Sequence, residues 1–191
     1  LLPIYDKPMI YYSFSTLMLA NIKKILIIGK MRDINSYKNL FGDGSKFGMK
    51  IYYALQEKPM GIPEAFILGE KFIKNNNVCL ALGDNFFYGN GLSKKLRYIK
   101  NKNFGATVIT FKVQNPQDYG VLEIKNKKIQ KIVEKPKKFI SNQAVTGLYF
   151  FDNKVIRYAK NLKPSKRKEL EIIDLLNKYK SKKKLSAEFL G

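Results

Sequence analysis

The sequence has no histidine and no tryptophan, and it has a single cysteine. Without histidine, Ser-His-Asp and Cys-His catalysis are excluded, as is any histidine-bound metal. Cys79 has no second thiol to pair with inside the chain. It sits in the apolar run Val78-Cys79-Leu80-Ala81-Leu82, where an inert buried thiol is the ordinary occupant. A reducing compartment, the cytoplasm, is therefore expected. No run of about 18 apolar residues is present, so no membrane-spanning helix is expected. The opening Leu1-Leu2-Pro3 lacks the basic-then-apolar order of a signal peptide. Neither G-x-G-x-x-G nor G-x-x-x-x-G-K-[ST] occurs.

Acidic residues are also scarce, 15 against 36 basic ones, for a formal charge of +21. Nucleic-acid binding is one reading of that excess. Most of the charge is lysine in surface-like runs such as Lys94-Lys95 and Lys182-Lys183-Lys184, and few of the cations are arginine. Base recognition favours arginine. Compositional bias, with some attraction for small anionic substrates, is the better explanation. The segment from Lys178 to Lys184 is the best nucleic-acid candidate, and neither nucleic acid nor membrane is expected as a partner.

What is present is a globular composition, 45% apolar over 191 residues. That suits one domain with a real core. Helix and strand signals alternate. Met9 to Ile22, Ile34 to Phe41, Pro63 to Ile73 and Leu92 to Lys100 read as helices. Lys24 to Gly29, Lys50 to Leu55, Val78 to Leu82 and Ala106 to Val113 read as strands. Continuous apolar strands between helices predict a mostly parallel, doubly wound sheet in a three-layer α/β fold. Beyond residue 118 the pattern changes. Tyr119 to Ile124 and Ile129 to Glu134, joined by Lys125-Asn126-Lys127-Lys128, read as a hairpin. A strand over Val145 to Phe151, helices over Asn153 to Asn161 and Glu169 to Lys180, and a strand over Lys184 to Phe189 follow.

Three polar clusters follow apolar strands, where open α/β sheets bind ligands. Gly83-Asp84-Asn85 offers a carboxylate to an oxygen-loving cation such as Mg²⁺, or is simply a turn. Tyr119-Gly120-Val121 faces Glu134-Lys135-Pro136 across the hairpin. Lysine there could hold a phosphate and glutamate could accept bonds from sugar hydroxyls, or the two are an exposed ion pair. Gln56 could donate to and accept from a pyrimidine base, with Gly61 allowing close approach, or both are loop residues.

Taken in order, these segments resemble the sugar nucleotidyltransferase family, and within it the thymidylyltransferases that act on glucose 1-phosphate. The resemblance covers nearly the whole chain. It rests on Leu1-Leu2-Pro3-Ile4-Tyr5-Asp6-Lys7-Pro8-Met9, Phe41-Gly42-Asp43-Gly44, Leu82-Gly83-Asp84-Asn85, Asp118-Tyr119-Gly120-Val121, Glu134-Lys135-Pro136, Val145-Thr146-Gly147-Leu148-Tyr149-Phe150 and Asn161-Leu162-Lys163-Pro164-Ser165. It implies a Rossmann-like nucleotidyltransferase sheet with a β-rich sugar-binding insertion. Residues 1 to about 115 would form the nucleotide side and about 116 to 191 the sugar-phosphate side. It implies Mg²⁺-dependent in-line transfer between dTTP and glucose 1-phosphate, giving dTDP-glucose and pyrophosphate for polysaccharide-type nucleotide-sugar synthesis. It further implies that Asp84 binds Mg²⁺, that Gln56 and Gly61 hold thymine, and that Asn85 lines the sugar pocket. Gly120, Glu134, Lys135 and Val145 would hold glucose 1-phosphate, with Arg167 near its phosphate. Lys135 and Arg167 are the catalytic candidates, and a homo-oligomer, tetrameric in relatives, is the expected assembly.

The family's glycine-rich G-G-x-G-T-R-L-x-P loop and its second metal-binding aspartate have no counterpart among the 191 residues. The chain therefore reads as truncated at both ends, short of one central strand, and inefficient as a catalyst. Ile62-Pro63-Glu64 stands where the family usually has Leu-Ala-Gln, and Ile173 where it has Thr. A uridylyltransferase and a non-catalytic remnant that binds sugar phosphate are the competing readings.

Overall fold

The computed structural model describes residues 2–102, 105–126 and 128–190. A small antiparallel pair, β1 (Pro3–Ile4) and β2 (Lys7–Pro8), opens the chain. It is followed by α1 (Ile10–Leu19), β3 (Lys24–Gly29), α2 (Met31–Phe41) and β4 (Lys50–Leu55). Next come α3 (Glu64–Leu68), α4 (Glu70–Ile73), β5 (Val78–Ala81), α5 (Leu92–Lys102) and β6 (Ala106–Lys112). The remainder is β7 (Gly120–Lys125), β8 (Lys128–Glu134), β9 (Gln143–Phe151), α6 (Val155–Lys160), α7 (Ile172–Ser181) and β10 (Leu185–Phe189). Of the expected hairpin turn, Lys127 lies outside the described residues.

Local chemistry sets several boundaries. α2 buries Ile34 and Phe41 on one face and stops at Gly42, whose φ of +57° a glycine adopts without strain. The helix expected over Pro63 to Ile73 is two short helices. Gly69 breaks it at φ −84°, ψ 4°, and its carbonyl accepts the N–H groups of Phe72 and Ile73 at 3.0 and 2.8 Å to start a new turn.

β3 and β4 form a separate parallel pair, in register from Lys24 opposite Lys50 to Gly29 opposite Leu55. The larger sheet runs β10-β6-β9-β7-β8, with β5 also on β9. This sheet is mixed, where the apolar strand runs led one to expect mostly parallel pairing. Its parallel pair is β10 with β6, whereas β9 runs antiparallel to β5, β6 and β7. The reason is topological: after the hairpin, the chain returns through β9 between β5 and β6. Those two strands still share a direction, as in a doubly wound sheet.

Alternation along the strands builds three layers. Val108, Tyr149 and Phe151 pack with Phe66, Val155, Leu175 and Tyr179 from α3, α6 and α7. Their chain neighbours Ile109, Leu148 and Phe150 pack on the opposite face with Leu92, Leu96 and Ile99 of α5. β3 and β4 carry their own cluster, in which Ile25, Ile27 and Ile51 meet Phe14, Ile34 and Phe41.

Among the described residues, β3 pairs only with β4, and β5 only with β9. Their other edges border one cavity of about 400 Å³. Consecutive residues of each strand line it, Lys24 to Ile28 and Asn77 to Ala81. Side chains alternate between faces, so an unbroken lining means that the backbone edges themselves confront the cavity. The gap lies between two sheets where a central strand was expected to be lacking.

Candidate active site

The site forms from loops that leave the carboxyl ends of β4 and β5 and from the β7–β8 hairpin. Gln56 follows β4 directly. Its N–H donates to the Gly29 carbonyl at 2.8 Å, which extends the β3–β4 ladder by one bond. Its side-chain Nε2 donates to Glu64 Oε2 at 2.6 Å, and the same oxygen accepts the Met60 N–H at 3.0 Å. Gly61 has φ of +100°, and a Cβ there would lie 2.1 Å from the Leu170 carbonyl oxygen. Leu170 in turn donates its N–H to the Met60 carbonyl at 2.7 Å. The glycine at 61 is thus demanded by the close passage of the segment entering α7.

After β5 the chain turns through Gly83-Asp84-Asn85. Asp84 is exposed, and Asn85 Nδ2 donates to its Oδ1 at 2.8 Å. Asn85 Oδ1 accepts the Gly147 N–H at 2.8 Å, which pins the loop to β9. A Cβ on Gly147 would stand 2.6 Å from Asn85 Nδ2, so the small residue lets the amide seat. Ser13 on α1 reaches the Leu82 and Asn85 carbonyls at 2.9 and 3.0 Å. Among the described residues, no three His, Cys, Asp or Glu side chains gather into a metal cage. Asp84 offers one exposed carboxylate, whose Oδ1 already accepts from Asn85. That suits Mg²⁺, which commonly takes one or two carboxylates and completes its shell with phosphate oxygens and water.

A cavity of about 710 Å³ opens beside this loop. Asn85, Gly120, Glu134 and Val145 all line it. Gly120 and Glu134 are direct cross-strand partners in the hairpin. A Cβ at Gly120 would meet Ile173 Cδ1 at 2.9 Å and Glu134 Oε2 at 3.0 Å, so the glycine leaves room for the carboxylate. Tyr149 is buried on one wall. Burial, then the negative charge of Glu134, pushes its phenol well above the ordinary value. Phe86, Tyr88, Phe111 and Tyr119 supply aromatic wall at the mouth.

The other expected residues are placed around this cavity. Gly61, Asp84 and Lys135 adjoin in sequence the lining residues Ile62, Asn85 and Glu134. Lys135 adopts φ of +42°, and its N–H bonds the Tyr119 carbonyl at 3.0 Å. Gln56 and Arg167 stand outside the lining. Arg167 is bonded to Glu171, Nη2 to Oε1 and Oε2 at 3.0 and 2.8 Å and Nε to Oε1 at 3.2 Å. That pairing raises the Arg167 guanidinium further above its usual value. Ile173, Tyr149 and Phe111 line the cavity without having been singled out as ligands. Apolar and aromatic residues in regular elements look the same in sequence whether they fill a core or a wall. For Ile173 a signal was available, its departure from the family's Thr.

The model of the Nucleotidyl transferase family matches residues 1–191. A curated glucose-1-phosphate thymidylyltransferase from Neisseria meningitidis is 52% identical over the whole chain, which covers 67% of that protein. One from Xanthomonas campestris is 48% identical, with 65% of its length covered. The chain thus spans about two thirds of the length of these relatives. A crystal structure from Bacillus anthracis, assigned provisionally to the same activity and holding sucrose, superposes with a TM-score of 0.91 at 38% identity. It covers all of this chain and 77% of that one. An apo UDP-glucose pyrophosphorylase shares the fold, with a TM-score of 0.84 at 24% identity over 98% of this chain and 81% of its own. The three-layer mixed sheet, the cavity at the strand ends and the match over every residue together make this chain a member of the nucleotidyl transferase family.

Proposed function

We propose that this chain carries the sugar-phosphate half and part of the nucleotide half of a glucose-1-phosphate thymidylyltransferase. The reaction is dTTP plus glucose 1-phosphate to dTDP-glucose plus pyrophosphate. The observation that carries the reading is the convergence of Asn85, Gly120, Glu134 and Val145 on one cavity, from the loop after β5, the β7–β8 hairpin and β9. Glu134 accepts hydrogen bonds from sugar hydroxyls, and the Asn85 amide, already oriented by Gly147, offers polar contact to the same ring. Lys135 supplies a positive charge to the sugar phosphate. Arg167 is tied to Glu171 through Nε and Nη2, and Nη1 is the nitrogen it can bring to the same phosphate. The sugar phosphate oxygen then attacks the α-phosphorus in line, and the leaving pyrophosphate departs opposite, so catalysis consists of positioning and charge neutralisation. Asp84 is the residue that would hold Mg²⁺, which when bound neutralises phosphate charge. Gln56 faces the base. The protein acts in the cytoplasm as a homo-oligomer, and dTDP-glucose feeds nucleotide-sugar and polysaccharide synthesis.

The 191 residues hold no glycine-rich triphosphate loop, so this chain is expected to bind glucose 1-phosphate and to turn over only when such a loop is joined to it. dTDP-glucose formation is measured with Mg²⁺, dTTP and glucose 1-phosphate, for the chain alone and for a version extended by that loop. Product from the extended version alone is the expected result. Silence of both, with glucose 1-phosphate still bound, favours a non-catalytic sugar-phosphate binder. Preference for UTP over dTTP favours a uridylyltransferase.

A further inference from the structure

We propose that Glu64 is a positioning residue that fixes which way round the Gln56 amide meets a nucleobase, and so selects imide bases over cytosine. The inference rests on the reading of Gln56 as the base-binding residue. An ionised carboxylate has acceptors only. The group that Gln56 turns toward Glu64 Oε2, 2.6 Å away, must therefore be its NH₂, whatever its alternatives in a neutral setting. Glu64 itself is held. The same oxygen takes the Met60 N–H at 3.0 Å, and the Met60 carbonyl is bonded to the Leu170 N–H at 2.7 Å. The main chain of Gln56 is anchored by its bond to Gly29 at 2.8 Å.

With Nε2 committed on one side, Gln56 presents Oε1 as an acceptor beside its second N–H donor. Thymine and uracil offer the complement, an imide N–H next to a carbonyl. Cytosine offers a bare ring nitrogen next to an amino group, the opposite order. Meeting it requires the amide to turn over, which would set Oε1 against the Glu64 carboxylate, two acceptors at hydrogen-bond distance. A glutamine at 64, the residue usual in the family, carries a weaker constraint. Its own amide can turn toward a reversed Gln56 by giving up the Met60 N–H, a loss of about 1 kcal/mol that is smaller than setting an acceptor against a charged carboxylate. Glu64 thereby acts through Gln56, by an orientation it forbids.

The test uses the version extended by the glycine-rich triphosphate loop, with ¹⁵N-labelled glutamine, titrated separately with dTTP and dCTP while the Gln56 side-chain amide is followed by NMR. The same titrations are run on E64Q, which preserves the shape of the side chain. For the unaltered chain the expected dCTP dissociation constant is at least about tenfold above that of dTTP, the scale of one bond to a charged group. In E64Q the ratio falls by at least about threefold. A merely structural role for Glu64 would weaken both nucleotides alike and leave the ratio where it was. An unaltered ratio in E64Q, or a ratio near one in the parent chain, overturns the inference and leaves Gln56 as a base ligand. No response of the Gln56 amide to either nucleotide overturns the base-binding reading and the inference with it.

Discussion

Replacing Gly61 by alanine is the most severe single-methyl change the fold offers near the site. The added Cβ would lie 2.1 Å from the Leu170 carbonyl oxygen and 2.8 Å from its amide nitrogen, at a backbone φ of +100°. The left-handed backbone costs an L-residue roughly 1–2 kcal/mol. Relieving the overlap moves main chain, since the obstructing atoms are not the tip of a side chain, and overpacking of that kind costs roughly 1–3 kcal/mol. The Met60–Leu170 hydrogen bond lies in the path of that movement and contributes about 1 kcal/mol. The sum is about 3–6 kcal/mol, a large part of the roughly 0.05–0.15 kcal/mol per residue that holds a domain together. Gly48 is the internal control. It also has positive φ, +63°, but nothing lies within 4 Å of its Cβ position, so G48A incurs the backbone cost alone. Urea unfolding followed by far-ultraviolet circular dichroism gives both values. If G61A unfolds at the same urea concentration as G48A, the close passage of Leu170 is not what fixes the glycine.

Three further outcomes follow from the geometry. Asn85→Ala removes the acceptor for the Gly147 N–H and should cost about 1–3 kcal/mol of stability while weakening glucose 1-phosphate binding by calorimetry; Asn85→Asp, which keeps an acceptor there, should recover most of the stability. Burial raises the Glu171 carboxyl, but its bonds to Arg167 and Ser165 outweigh that and hold it below the ordinary 4.5. A depressed carboxyl contributes stability above its unfolded value and loses it as pH falls through the folded one, so the stability difference between the parent and E171Q should shrink below about pH 4.5 in denaturant melts taken from pH 7 to 3. Cys79 is half-buried beside the β5 edge, and its apolar surroundings push the thiol far above its ordinary 9.0, so at pH 8 it should react with a disulfide reagent much more slowly than in urea, and equal rates would refute that shielding.

The elements that could be read from sequence were those with an unambiguous period and a clear stop. Lys24–Gly29 and Lys50–Leu55 match the expected strands residue for residue, because β-branched and aromatic runs there end at glycine or at polar loops. The direction of β9 was not legible. An apolar strand carries no mark of whether its neighbours run with it or against it, and only the return of the chain after the hairpin decides that. The site divides in the same way. Polar residues at strand ends, such as Asn85 and Glu134, stood out because they interrupt apolar runs. The amide–carboxylate contact of Gln56 with Glu64 spans eight residues and depends on how a loop folds back, which no local pattern encodes. Gly61 reads in sequence as room for a base, and the passage of Leu170 on the side where a Cβ would stand is a second demand that only the fold reveals.

Among the described residues, the edges of β3 and β5 that border the gap have no strand partner, and such rows invite the edges of other molecules. The chain meets that hazard with a formal charge of +21, which sets copies in mutual repulsion. The repulsion reaches about 10 Å at 0.1 M salt and about 3 Å at 1 M. Colloidal behaviour is therefore governed by ionic strength: dilute buffer keeps molecules apart, and concentrated salt lets exposed edges find one another. The lysine excess is in these terms a colloidal barrier whose reach is set by salt.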